Sequence, residues 1–218
     1  MEIDLFVTKD SKIKDLLRKI IRLNKHCIQT INYIYGNKKQ KTMKVANKYL
    51  SSTQWIFHYY KDLGDKTLAQ INEQQPHWQY NTTTNSIAII IQHLSGNMLS
   101  RWTNFLTTDG EKPWRDRDKE FENFNTDKTS LLNDWNEGWD CLFHSINSLT
   151  ENDLIKTVYI RNEPHTVIEA INRQVGHVAY HVGQIVLIAK MLLNEDWKTL
   201  SIPKGKSKEF NMGKFLKK

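Results

Sequence analysis

The sequence predicts an all-α helical bundle, on three observations. Four long segments carry apolar side chains at the 3.6-residue period of a helix. One of them steps by threes and fours through Leu132, Trp135, Trp139, Leu142, Ile146 and Leu149, the spacing of a bundle seam. Strand-forming sequence is confined to one short stretch, 156–167. At 218 residues the chain is long enough for one domain with a sizeable core, and not obviously for two.

Residues 1–42 read as a basic N-terminal extension, either an extra helix or disordered. Ile13, Leu16, Leu17, Ile20, Ile21 and Leu23 are compatible with an amphipathic helix, and Asn37-Lys38-Lys39-Gln40-Lys41 reads as a linker. The domain proper begins at Met43 and extends to 211, with 212–218 as a basic tail. Its first helix covers 47–71, with Leu50, Phe57, Tyr60 and Leu63 on one face and Gly64 bending or interrupting it. The polar stretch Pro76-His77-Trp78-Gln79-Tyr80-Asn81 ends it. The second opens on Thr84 or Asn85 as N-cap and runs to about Leu106. A loop over 107–114 and the charged run 115–120 follow.

The third helix is capped by Thr126-Asp127 and reaches Ser148. Over 156–167, β-branched residues flank Arg161-Asn162-Glu163-Pro164, which fits a short β-hairpin or an extended link before the last helix. That fourth helix starts at His165 or Thr166 and ends near Asn194. No internal repeat or low-complexity segment is present.

The net charge of +7 is unevenly placed. Residues 1–42 carry +6 and 203–218 carry +5, which leaves −4 for 43–202. A nucleic-acid binder usually carries its charge on a folded face, so these flanks read as solvated ends and nucleic acid is not the expected partner. No run approaches the roughly 20 apolar residues of a membrane span, so no membrane association is expected. The start, Met1-Glu2-Ile3-Asp4-Leu5-Phe6-Val7, is acidic and too short in apolar residues for a secretory signal. Cys27 and Cys141 are the only cysteines, which makes a reducing cytoplasm the expected compartment.

The pair His177 and His181 is the most informative local feature. Positions i and i+4 share a helix face, where two imidazoles can hold one ion. With eight histidines in the chain, about 0.3 such pairs arise by chance, so the pair alone is a weak signal. Two observations strengthen it. Both rings project onto the apolar stripe of their helix, with Ala170 and Ile188. A third, His93, sits in the apolar segment Ser86-Ile87-Ala88-Ile89-Ile90-Ile91-Gln92-His93-Leu94. Near His93 on its face lie Ser86, Ile89, Gly96, Asn97, Ser100 and Asn104, small and polar residues that leave room beside an ion. Three neutral imidazoles with space nearby describe an open coordination sphere rather than a closed structural site. His144 competes as a ligand, and Asp134, Glu137 or Asp140 can add a carboxylate. His26, His58, His77 and His165 read as surface or cap residues, and Cys141 as a small core residue.

Three passages resemble the DinB/YfiT-like superfamily, and within it an uncharacterised bacterial branch. They are Asn85-Ser86-Ile87-Ala88 with Gln92-His93-Leu94-Ser95-Gly96-Asn97, then Trp114-Arg115-Asp116-Arg117-Asp118-Lys119-Glu120-Phe121, and then Gln174-Val175-Gly176-His177-Val178-Ala179-Tyr180-His181-Val182-Gly183-Gln184-Ile185. The tail from Ser201 to Asn211 is similar to the same branch, so the resemblance spans about 43–211. It implies an up-down-down-up four-helix bundle, often dimeric, with a divalent metal (zinc, nickel, iron or manganese) on His93, His177 and His181. It also implies activities of the kind its members carry: S-transfer dependent on bacillithiol or mycothiol, and a mycothiol-assisted isomerisation.

The expected function is therefore that of a metal-dependent enzyme, a transferase acting with a low-molecular-weight thiol on a small electrophile. The pocket would lie beside Gly96, Asn97 and Ser100, with Asn97 and Gln184 orienting the substrate. The alternatives are a metal-dependent hydrolase, or a non-catalytic metal- or partner-binding protein that uses its basic flanks. A homodimer would bury exposed aromatics such as Trp102 or Trp114.

Overall fold

The computed structural model describes residues 11–124 and 126–215. The chain divides into two compact units, Met1–Lys48 and Tyr49–Lys218. Their boundary falls within the long helix α1 (Ser11–Leu68).

In the first unit the helix runs through 37–41, where a linker was expected, and Thr42 Oγ1 donates to the Lys38 carbonyl one turn back at 3.0 Å. Lysine and glutamine are good helix formers, and no proline or glycine breaks the stretch. Its polarity signalled exposure, which is not the same as a break. Ile28, Ile31, Tyr33, Ile34 and Tyr35 are exposed. The side chains of Ile13, Leu16, Leu17, Ile20, Ile21 and Leu23 lie outside the described residues.

The second unit is a four-helix bundle built from the rest of α1, α2 (Ile87–Trp102), α3 (Lys128–Ser148) and α4 (Val167–Leu193). Cross-helix contacts fix its directions. Gln54 bonds Asn147, Lys61 bonds Asn136 and Trp135 Nε1 donates to Asp65, so α1 and α3 are antiparallel. Ser145 Oγ donates to the Trp102 carbonyl while Gly138 lies against Ser95, so α2 and α3 are parallel. Tyr49 donates to Asn172 near the start of α4, and Gln70 to the Lys198 carbonyl beyond its end, so α1 and α4 are parallel. The order is up-down-down-up, as the resemblance implied.

The starts of α2, α3 and α4 are each set by a side-chain cap. Ser86 accepts from the amide of Ile89, one or two residues beyond the expected caps Thr84 and Asn85. Asp127 accepts from Ser130, and Thr166 forms a reciprocal capping box with Glu169. Gly64 does not interrupt α1. A Cβ there would stand 2.3 Å from Trp135 Cζ2, so the glycine admits the indole. At Gly138 the same atom would lie 2.8 Å from Ser95 Cα, and its absence lets α2 and α3 approach closely.

The core joins Phe57 and Leu68 of α1, Ile89, Ile90, Leu94, Met98 and Trp102 of α2, Trp135, Trp139, Leu142 and Ile146 of α3, and Ile171, Val178, Val182 and Ile185 of α4. On α3 it is Leu131, not Leu132, that is fully buried. Trp102, considered above as an aromatic for a dimer face, is 1 % exposed because it fills this core, whereas Trp114 is 59 % exposed.

Strands β1 (Thr157–Ile160) and β2 (Glu163–Thr166) pair antiparallel as the hairpin before α4. Its two turn residues, Arg161 and Asn162, take φ of 56° and 62°, the left-handed geometry of a tight two-residue hairpin. Asp109 accepts from both of their amides, and the Gly110 amide donates to the Tyr159 carbonyl. The α2–α3 loop is thereby tied to the hairpin.

After α4 a short helix, α5 (Ser207–Phe215), is exposed where its side chains are described. Contrary to the expectation that no segment is apolar and long enough, Val167–Asp196 could cross a membrane by length and composition alone. It also carries His177, His181 and a fully buried Gln174, and it buries its apolar stripe in the bundle. A core helix passes the same test.

Candidate metal centre

Helices α2 and α4 bring His93, His177 and His181 together, with one ring nitrogen from each within 4.8 Å of the others. Among the described residues this is the one group of its kind. His93 and His181 are buried and His177 is half-buried. His93 sits mid-helix, in register with the core residues Ile89, Ile90 and Leu94, so the packing that buries the helix also fixes the ring.

The hydrogen bonds decide which nitrogens face the centre. His93 Nδ1 lies 2.9 Å from Glu120 Oε2. An ionised carboxylate only accepts, so Nδ1–H donates and Nε2 is the nitrogen turned toward the other histidines. That Nε2 stands 3.0 Å from His177 Nε2. His181 Nδ1 donates to Gln184 Oε1 at 2.8 Å, which leaves Nε2 as the basic nitrogen. Two Nε2 atoms at 3.0 Å cannot both present lone pairs without repulsion. One must carry a proton, or an ion must stand between them. His177 Nδ1 has no partner among the described residues, so its ring is free to change tautomer when an ion takes the lone pair of Nε2.

Glu120 is itself held. Arg115 Nε donates to Oε1 at 2.7 Å and Nη2 to Oε2 at 2.9 Å, a two-pronged pairing. Burial works against the carboxylate, but the bonds from His93 and Arg115 outweigh it and keep Glu120 below the ordinary glutamate range. A guanidinium that fixes a carboxylate, which in turn fixes an imidazole, is the support that metal-bound histidines ordinarily have. Glu120→Gln is expected to lower metal affinity about 10- to 100-fold, measured by competition with a chromophoric chelator. Unchanged affinity would deny Glu120 this role.

Burial, and then the neighbouring His181, His93, Arg101 and Arg115, push His177 down to about 3. Burial and His93 bring His181 to about 4, against the opposing bond to Gln184. Both rings are therefore neutral near pH 7, as a ligand must be. In unfolded chain the same groups titrate near 6.5. Between about 6.5 and 3 the unfolded state binds protons that the folded state refuses, so the stability of metal-free protein falls as pH drops through that window. Chelator-treated protein should melt at progressively lower temperature from pH 7 to pH 5. A His177→Ala/His181→Ala variant should show a shallower slope, and parallel slopes would contradict these assignments.

The other residues singled out in the sequence are placed as follows. The room expected beside Gly96 is filled by Glu120, whose Oε1 would be 2.3 Å from a Cβ there. Ser100 Oγ is engaged with the Gly110 carbonyl at 2.7 Å. Gln184 orients His181. Asn97 is buried, and its Oδ1 has no partner among the described residues. His144, Glu137, Asp140 and Cys141 line an open groove with the end of α2, and Asp134 is raised by burial and by Glu137. None of these five belongs to the histidine group. His58 stacks on Phe143, His77 bonds the Thr126 carbonyl, and His165 receives a bond from Arg173. The side chain of His26 lies outside the described residues.

Sequence reasoning missed Glu120 and Arg115 as parts of the site. They lie in an irregular loop with no periodic relation to His93. The one available signal was their presence in the Trp114–Phe121 passage that carries the resemblance.

Residues 44–206, about three quarters of the chain, match the family described as "Protein of unknown function (DUF1572)". No curated protein matches the chain.

Proposed function

Because the chain belongs to the DUF1572 family, which is in keeping with the DinB/YfiT-like resemblance, we propose that it is a metal-dependent transferase acting with a low-molecular-weight thiol on a small electrophile. The observation that carries this reading is the convergence of three imidazoles, two of them oriented through their second nitrogens, with no fourth protein ligand among the described residues. That donor set suits a divalent ion with a position open to exchange. Imidazole suits zinc, nickel and iron, while manganese is a candidate only through the resemblance, and geometry and availability rather than raw affinity choose the metal. When bound there, the ion supplies Lewis acidity that stabilises the anion of a thiol.

The chain's own contribution is orientation and exclusion of alternatives. Arg115 and Glu120 hold His93, and Gln184 holds His181. Glu120 is engaged by two partners, so it does not serve as the free general base that a hydrolase would need. In the proposed reaction the thiol proton passes to solvent and sulfur forms a bond to the electrophilic carbon. The leaving group departs with its bonding pair. A small-molecule pocket, assembly as a homodimer and a cytoplasmic setting belong to the same reading.

The test is consumption of an electrophile such as monochlorobimane with simple thiols, using protein loaded with each candidate ion. Turnover above the spontaneous rate, lost on chelation and in His177→Ala, is expected. Tight one-to-one ion binding without turnover of any thiol–electrophile pair would overturn the transferase reading.

A further inference from the structure

Beside the three histidines lies a set of buried polar atoms that the metal centre does not use. Asn97 and Arg101 follow His93 at steps of four along α2, on neighbouring positions of one face. Gln174 precedes His177 by three on α4. The two helices are antiparallel, so the walk from His93 to Arg101 and the walk from His177 to Gln174 run in the same direction. Gln174 is 0 % exposed, Asn97 5 % and Arg101 9 %. Among the described residues, Asn97 Oδ1, Arg101 Nε and both amide atoms of Gln174 have no hydrogen-bond partner. Buried polar atoms are nearly always satisfied, and four such atoms in one stretch of an interface point to a polar occupant.

The electrostatics give its sign. Arg101 has no carboxylate within ion-pair distance among the described residues. Burial lowers its pKa to about 10, and the charges of Arg173, Arg115 and Arg161 act in the same sense. Glu111 opposes them, but it already faces Arg161 at 3.0 Å and Arg115 at 3.9 Å. The charge of Arg101 also acts on His177, lowering it. A buried guanidinium among like charges is costly unless an anion joins it.

We propose that Asn97, Arg101 and Gln174 form a carboxylate-binding subsite of the substrate pocket, next to the three histidines. The guanidinium and the Gln174 amide N–H supply donors to a planar carboxylate. Asn97 Oδ1 and Gln174 Oε1 are acceptors, which disfavours a phosphate dianion, whose oxygens all call for donors. This assigns a substrate class to the site of the preceding section and rests on that site being where substrate binds. It does not depend on the thiol chemistry.

The experiment uses full-length protein loaded with cobalt(II), whose charge-transfer absorption reports sulfur ligation. It compares 3-mercaptopropionate with the neutral 3-mercaptopropionamide, and by calorimetry propionate with propionamide. The acid of each pair should bind at least about tenfold more tightly. Arg101→Gln should abolish that preference with metal content unchanged, and Arg101→Lys should keep part of it. If Arg101→Gln does not fold, Gln174→Met decides, and the same loss of preference is expected. If the thiols give no cobalt band but propionate still binds through Arg101, the thiol reading fails and the subsite stands. Equal binding of acid and amide, or a preference that survives in every variant, overturns the subsite.

Discussion

His177→Ala protein is expected to leave purification with less than about 0.1 equivalent of divalent metal where the parent chain carries about one, because two imidazoles without a third lose most of the affinity of the set. His177 is a sharp choice for separating metal loss from unfolding. Its ring is half-buried, and its Nδ1 makes no bond among the described residues. Removing it therefore breaks no supporting network, whereas Glu120 and Arg115 would still hold His93. Elemental analysis of dialysed protein, beside circular dichroism to show the helices intact, makes the measurement. A folded variant that retains a full equivalent would mean the ion is held elsewhere, and the reading of the centre would fall with it.

Trp139→Ala is expected to cost about 3–5 kcal/mol of unfolding free energy, the range for emptying a large buried aromatic site. Trp139 is 0 % exposed, and its ring stacks on Phe143 and meets Trp135 edge-to-face, with centroid distances of 5.7 and 5.4 Å. Its neighbours are anchored on a helix pressed against α2 at Gly138, so they cannot easily collapse into the gap. The indole Nε1 is buried without a partner among the described residues, which offsets part of the loss. The control is Trp114→Ala, a residue 59 % exposed, for which a change within about 0.5 kcal/mol is expected. Urea unfolding of both variants decides, and similar midpoints would mean that the α3 seam is not the core.

Much of the fold was readable because its signals are local. Helix periodicity, the caps at Asp127 and Thr166, and the turn at Arg161-Asn162 depend on residues a few positions apart. The 37–41 stretch was misread for the complementary reason. Polarity reports exposure, and an exposed helix of lysines and glutamine looks like a linker when read by hydropathy alone. The same limit moved the buried position on α3 from Leu132 to Leu131, since adjacent leucines satisfy one period equally well.

The three histidines were legible because helix spacing and an apolar setting are properties of a string. Their partners were not. Glu120 reaches His93 from 27 residues away, through a loop that Asp109 and Gly110 tie to the hairpin, and Gly96 matters because it admits that carboxylate. The sequence alone determined which faces of which helices turn inward, since burying apolar surface is a demand each segment makes by itself. Only the tertiary structure decided which nitrogen of each ring faces the centre, and that Asn97, Arg101 and Gln174 are left unsatisfied beside it. Hydrogen-bond pairing and charge balance are properties of groups that meet in space, and no segment carries them alone.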